Sequence, residues 1–203
     1  MCNRTVRTAL FSVASFILIT TLLAGCAMVT ATVPLRYTPH GTATVVPGAR
    51  NVIVTVSVKD LRKRKRIGTK TNGFGMSMAA IYSKTNVGVM VRHAFEKELS
   101  DRGFRVADAS PVRVDVHVTQ LDSHFDVGVF TGTAIAECHM TVMVRNRAGR
   151  ETFSRTITAV GKNGDIMIAS GSNAGVAVDR ALENGVHMVF HNNRFIAALL
   201  HSE

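Results

Sequence analysis

Five consecutive cations, Arg62-Lys63-Arg64-Lys65-Arg66, form the densest block of charge in the sequence. Adjacent cations repel, so the run is expected on an exposed loop or a splayed strand end. There arginine's planar fork could grip a phosphate or carboxylate bidentately. The same run could equally be a solvated loop that only aids solubility. His187 and His191 stand at i and i+4, a spacing that can bring two imidazoles to one metal ion, but position 188 is Met and no third ligand is evident. No metal is expected there. His117 and His139 fall on the polar sides of their strands, where they could be neighbours across a sheet without needing a function. Cys138 precedes His139, yet successive strand residues face opposite sides, so the ring cannot activate the thiol. Between Ala136 and Met140, that cysteine reads as a small core hydrophobe. The chain has no Gly-x-Ser-x-Gly elbow, no phosphate-cradling Gly-x-x-x-x-Gly-Lys run and no Cys-x-x-Cys pair. It is read as a non-enzyme, with no catalytic residues and no cofactor.

The elements that carry these residues begin with an export signal over residues 1–25. Arg4 and Arg7 make a positive head, Ala9 to Leu23 an apolar core, and small residues close the segment. The apolar run is shorter than the about 20 residues a membrane span needs, and it contains Ser12, Ser15, Thr20 and Thr21. The closing tetrad Leu23-Ala24-Gly25-Cys26 resembles the lipobox of bacterial lipoproteins. Small side chains at 24 and 25 let a peptidase close on the backbone, and the thiol at Cys26 is the group that can take a diacylglycerol thioether. Cys26 is therefore the expected lipid attachment point. Its acyl chains, at about 0.8 kcal/mol per buried methylene, would hold the protein stably on a membrane.

Of 24 basic and 14 acidic residues, the signal removes only Arg4 and Arg7, so the mature 178 residues carry 22 against 14 and a net charge of +8. Such a balance favours anionic partners. Export excludes nucleic acid and leaves lipid head groups, lipopolysaccharide phosphates or peptidoglycan carboxylates. Cys2 departs with the signal and Cys26 is lipidated, which leaves Cys138 alone and allows no internal disulfide. An ordinary apolar core must hold the domain together.

Residues 26–49, with Pro34, Pro39, Pro47, Gly41 and Gly48, read as the lipidated cysteine and a flexible tether. A single periplasmic domain is expected over 50–203. Val52, Val54, Val56 and Val58 alternate in a first strand. Residues 67–84, rich in glycine and threonine, read as a long loop whose Phe74, Met76 and Met78 tuck against the core. From Asn86 the period turns helical, with Val87, Val91, Phe95 and Leu99 on one side, Asn86 or Thr85 as cap and Gly103 past the end. The charges of Arg92, Glu96, Lys97, Asp101 and Arg102 should face water. A short strand at 104–107 precedes three longer ones: Val112 to Gln120, then 133–145 with Ala134, Ala136, Cys138, Met140, Val142 and Val144 inward, then Thr152 to Val160 after a turn at 146–150. A last helix is expected to open at Ser172 or Asn173 and to break at Asn192-Asn193 before Phe195 to Leu200. The fold class that satisfies every stripe is α+β: a largely antiparallel sheet of four to five strands with two main helices on one face.

The lipobox, the valine strand ending in Lys59-Asp60-Leu61-Arg62, the helix followed by Asp101-Arg102-Gly103-Phe104, the strand Val112 to Gln120, the hairpin through Gly149 and the closing Arg194-Phe195-Ile196 resemble the YajG family of bacterial lipoproteins. That resemblance implies an outer-membrane address and little mechanism. The first half is also similar to periplasmic lipoproteins that activate peptidoglycan synthases. By the sorting rule known for lipoproteins, Ala27 rather than Asp after the cysteine implies the outer membrane. The expectation is a lipid-anchored, periplasm-facing outer-membrane lipoprotein with a non-enzymatic accessory domain that binds an envelope protein or polymer. The alternatives are a regulator of peptidoglycan synthesis, a binder of an anionic polymer through Arg62 to Arg66, or a metal-binding or enzymatic domain using His187 and His191.

Overall fold

The structure, a computed structural model, describes residues 28–128 and 130–202. The expected signal peptide, Cys26 and Ala27 lie outside the described residues. In chain order the elements are β1 (Ala31–Val33), a 3-10 turn (Ala49–Asn51), β2 (Ile53–Asp60), β3 (Arg66–Thr71), β4 (Ser77–Ser83), α1 (Val87–Asp101), β5 (Arg105–Val106), β6 (Val112–Val127), β7 (Gly132–Arg145), β8 (Glu151–Ile166), α2 (Gly171–Phe190) and α3 (Asn193–Leu200).

The α+β class holds, but the sheet is not largely antiparallel. A five-stranded sheet runs β5-β2-β6-β7-β8, in which β2 is parallel to both β5 and β6 while β6, β7 and β8 form an antiparallel meander. A second sheet, β1-β4-β3, is also mixed. The reason lies in the connection from β2 to β6. It contains a hairpin, a helix and a short strand, long enough to cross over and return in the same direction, which is what parallel neighbours require.

The inward rows follow the period-two pattern. Ala134, Ala136, Cys138, Met140, Val142 and Val144 of β7 are all buried, as are Val112, Val114, Val116 and Val118 of β6. At Thr119 a bulge breaks the ladder between Val118 and Gln120, and the inward row continues as Leu121, Ser123 and Phe125. The strand consequently runs seven residues past Gln120. Helix α1, capped by the Asn86 side chain accepting from the Val89 amide, buries Val91, Phe95 and Leu99 against β2 and β5, and Gly103 follows with φ 91°. Full burial of one such side chain stabilises by about 1.5–3 kcal/mol. Helix α2 lies on β7 and β8, its backbone so close to β8 that a Cβ on Gly161 would fall 2.2 Å from Ala177 O and Ala181 N. Phe95 and Phe190, 5.5 Å apart, join the two helices on the same face of the sheet.

Two segments depart from the sequence reading. The tether expected over 26–49 is folded from Ala31 onward: β1 pairs with β4, Leu35 and Ala49 are buried, and Tyr37 packs on the core. An edge of β4 that would otherwise be unpaired takes up the chain, which is a stronger pull than the prolines' resistance. The loop expected over 67–84 is the hairpin β3–β4, because its threonines and Ile67, Ala79 and Ile81 suit a strand even where glycines interrupt the alternation. At its tip Phe74 and Met76 point into solvent rather than into the core.

Candidate functional site

The basic run turns out to be two populations. Asp60, at the end of β2, receives Arg62 through Nε at 2.9 Å and Nη2 at 3.0 Å, and the Arg62 backbone amide at 3.2 Å. Arg62 also donates to Leu121 O, and it is buried. The expectation that all five cations are exposed fails here, because a carboxylate two residues earlier gives the guanidinium a bidentate partner. Lys65 Nζ lies 3.1 Å from Asp60 Oδ2. Burial pushes the Asp60 carboxyl upward, but hydrogen bonds from Arg62 and Lys65 outweigh it and bring the pKa down to about 2. Arg66 opens β3 half-buried, and Asp122 nearby has its carboxyl raised by burial against the pull of Arg66, Arg64 and Arg62. Lys63 and Arg64 are exposed. The turn can offer an anion those two side chains and part of Arg66.

A second assembly gathers where α2 ends. Tyr37 donates to Glu98 at 2.5 Å, Arg102 Nη1 donates to the other Glu98 oxygen, and the Arg102 guanidinium lies 4.8 Å from the centre of the Phe190 ring. Glu98 and Arg102 are both buried. The sequence placed Arg102 in water; the helix instead returns it across one turn to Glu98, where the pair satisfies itself. Burial, then the Glu98 hydrogen bond, raises the Tyr37 phenol well above its ordinary value. Beside this group the 40–47 segment and the helix ends enclose a cleft of about 550 Å³ lined by His40, Arg102, His191, Ile196, Leu200 and His201 among others.

His187 and His191 do come together, though as a stack, with ring centres 3.7 Å apart and planes inclined by 26°. His40, from the segment read as tether, sits edge-on to His187 at 5.2 Å and meets Asn184 Oδ1 at 3.1 Å. His191 Nδ1 is 3.0 Å from His187 O. Stacking turns ring faces, not lone pairs, towards one another. Among the described residues no group of three His, Cys, Asp or Glu stands where it could hold a metal ion. Burial lowers the His187 pKa, and His191, His40 and Arg102 lower it further.

Cys138 is fully buried, and burial pushes its thiol up to about 12, so almost no thiolate forms at neutral pH. His139 occupies the opposite side, 3.5 Å from Glu137. His117 faces Thr141, and His139 faces Gln120, so the two imidazoles are not cross-strand partners.

Residues 39–199 match a protein family described as uncharacterized lipoprotein. The chain belongs to that family, the YajG-like lipoproteins whose strand and helix motifs it shares. No curated protein matches the sequence. Among solved structures, a protein from Xanthomonas campestris has 16% identity and a TM-score of 0.53, with 80% of this chain and 92% of that one covered. It shares the fold. A minor lipoprotein from Acinetobacter baumannii has 10% identity and a TM-score of 0.38, with 72% and 92% covered.

Proposed function

We propose that this lipoprotein is lipidated on Cys26, held on the outer membrane facing the periplasm, and acts without catalysis as an accessory domain for an envelope protein or polymer. The observation that carries the reading is the position of Leu23-Ala24-Gly25-Cys26, a complete lipobox-like tetrad whose cysteine stands five residues before Ala31, the first strand residue. Membership of a lipoprotein family supports the anchor. No helix among the described residues is long and apolar enough to cross a membrane. Lys63 and Arg64 are the cations left to meet a peptidoglycan carboxylate or a lipopolysaccharide phosphate. Contacts of that exposed kind are screened by salt, over a Debye length of about 10 Å at 0.1 M.

The test is fractionation of whole cells. Cys26→Ser should remove the lipid and release the protein from membranes, and Ala27→Asp should move it from the outer to the inner membrane. A Cys26→Ser protein still sedimenting with membranes would end the anchoring reading; an Ala27→Asp protein that stays in the outer membrane would end the sorting one. Co-sedimentation with purified peptidoglycan and with lipopolysaccharide vesicles should fall when Lys63→Gln and Arg64→Gln are combined. Equal retention would reduce the pair to solubilising charge.

A further inference from the structure

The most exposed large apolar side chains among the described residues share one end of the molecule. Phe130 is 90% exposed, Phe74 89%, Met167 87% and Ile168 71%, followed by Met28, Val29 and Met76. They come from four separate stretches of chain: the run before β1, the β3–β4 tip, the β6–β7 turn and the β8–α2 connection. The last three line one cleft of about 450 Å³, whose wall includes Gly73, Phe125, Val127, Phe130, Ile166 and Met167. Isolated exposed hydrophobes are ordinary on a protein surface, whereas a converging set marks a contact. The β3–β4 tip is also built to present its side chains. Asn72 Oδ1 accepts from the Phe74 and Met76 amides, the Gly75 amide donates to Asn72 O, and Gly75 takes φ 78° to close the turn.

The chain itself indicates what lies against this end. Strand β1 is parallel to β4, with Ala31 opposite Ile81, so following it backward from Ala31 leads towards Ser77 and the tip. Val29 is already there, its carbonyl accepting from Lys70 Nζ at 2.8 Å, one residue from the end of β3. From Val29 to Cys26 are three residues, which reach at most about 10–11 Å. An acyl group on Cys26 therefore cannot sit far from Phe74, Phe130 and Met167. A domain on a long tether could turn any side to the bilayer; on so short a one it cannot.

Resting on the anchoring proposed above, we infer that the end of the domain carrying Phe74, Met76, Phe130, Met167 and Ile168 is a membrane-contacting face, seated in the same lipid leaflet that holds the Cys26 acyl chains. Apolar and aromatic groups settle about 5–10 Å into the boundary between head groups and acyl chains. Asp126 and Asp165 are exposed at the same end and would be repelled by anionic lipid. Burial of apolar surface, not charge, is what holds the face down, and zwitterionic lipid suffices.

The chain contains no tryptophan, so a single introduced one reports alone. Three full-length lipidated proteins, Phe74→Trp, Phe130→Trp and Arg150→Trp, are purified and reconstituted into phosphatidylcholine vesicles with bromine on the acyl chains. The first two should emit at shorter wavelength and be quenched roughly two-fold or more by bromine, at low and high salt alike, at a depth of about 5–10 Å. The third, in the β7–β8 turn at the opposite end, should emit as in water. Water-like emission from all three would overturn the inference. So would a blue shift at 74 and 130 without bromine quenching, the result if a second copy or a protein partner covers the face. Intact mass separates the two ideas. With Cys26 acylated and no quenching, only the membrane face is lost; with Cys26 unmodified, the anchoring fails and the face falls with it.

Discussion

The antiparallel meander β6-β7-β8 has two ends, and the sequence treats them in opposite ways. At the end bearing the 146–150 turn, charge goes inward: Glu98 and Arg102 are buried together, and Asp115 is buried between Arg113 and Arg145. At the end bearing the 128–131 turn, apolar side chains go outward. Each arrangement runs against the usual partition between core and surface. The lesson is that the two exceptions are unlike in kind. The buried charges are closed among themselves and ask nothing of a partner, whereas the exposed hydrophobes are covered by nothing among the described residues.

The difference can be broken first at the charged end. Arg102→Ala leaves Glu98 buried without its cation and should cost about 3–5 kcal/mol of folding stability, read by denaturant unfolding of the purified protein. A loss below about 1 kcal/mol would mean that Glu98 finds water and that this end is not closed.

A smaller effect should come from pH at the same end. The folded-state pKa of His187 is depressed, so its contribution is present above the ordinary imidazole value of about 6.5 and is lost as pH falls below it and the ring must charge beside His191, His40 and Arg102, with only Glu98 opposing. Asp179 on α2 works the other way. Burial and Glu183 raise its carboxyl to about 6 against the Arg36 amide, so stability it contributes in acid is lost as pH rises through about 6. In an Asp179→Asn background, melting temperature should therefore fall between pH 7.5 and pH 5, and adding His187→Gln should flatten the slope. An unchanged slope would remove His187 from the account.

The smallest change in stability is expected at the apolar end. Phe74→Ser and Met167→Ser should each move folding stability by no more than about 0.5 kcal/mol, as surface substitutions do. A loss above about 1 kcal/mol in either would show that the side chain packs within the fold, and the contrast between the ends would dissolve.

Where alternation was unbroken, the sequence was legible. The inward row of β7 and the buried side of α1 and α2 stand as their periods require. Three things escaped for identifiable reasons. Strand β1 is only three residues long, too short for any period to show, and so His40 and Tyr37 beyond it read as tether. Gly68, Gly73 and Gly75 masked the β3–β4 hairpin, although Gly68 is there because Ser123 of β6 occupies the space of a side chain. A run of five cations does not reveal that Asp60, two residues before Arg62, takes that one guanidinium inside. Phe74 and Met76 read as tucked against the core but stand exposed, since pattern reveals which residues are apolar and not which way an irregular tip points.

The bulge at Thr119 has a consequence for how β6 could change over time. A strand is a message of period two, and this one is written in two reading frames, even numbers inward up to Val118 and odd numbers inward from Leu121. Thr119 is the spare letter between them. Deleting it merges the frames and leaves Val118, Leu121, Ser123 and Phe125 all still facing the core, whereas deleting Val116 turns His117 inward and Val118 out. This 16-residue strand thus contains one place where its length can be edited without changing its meaning.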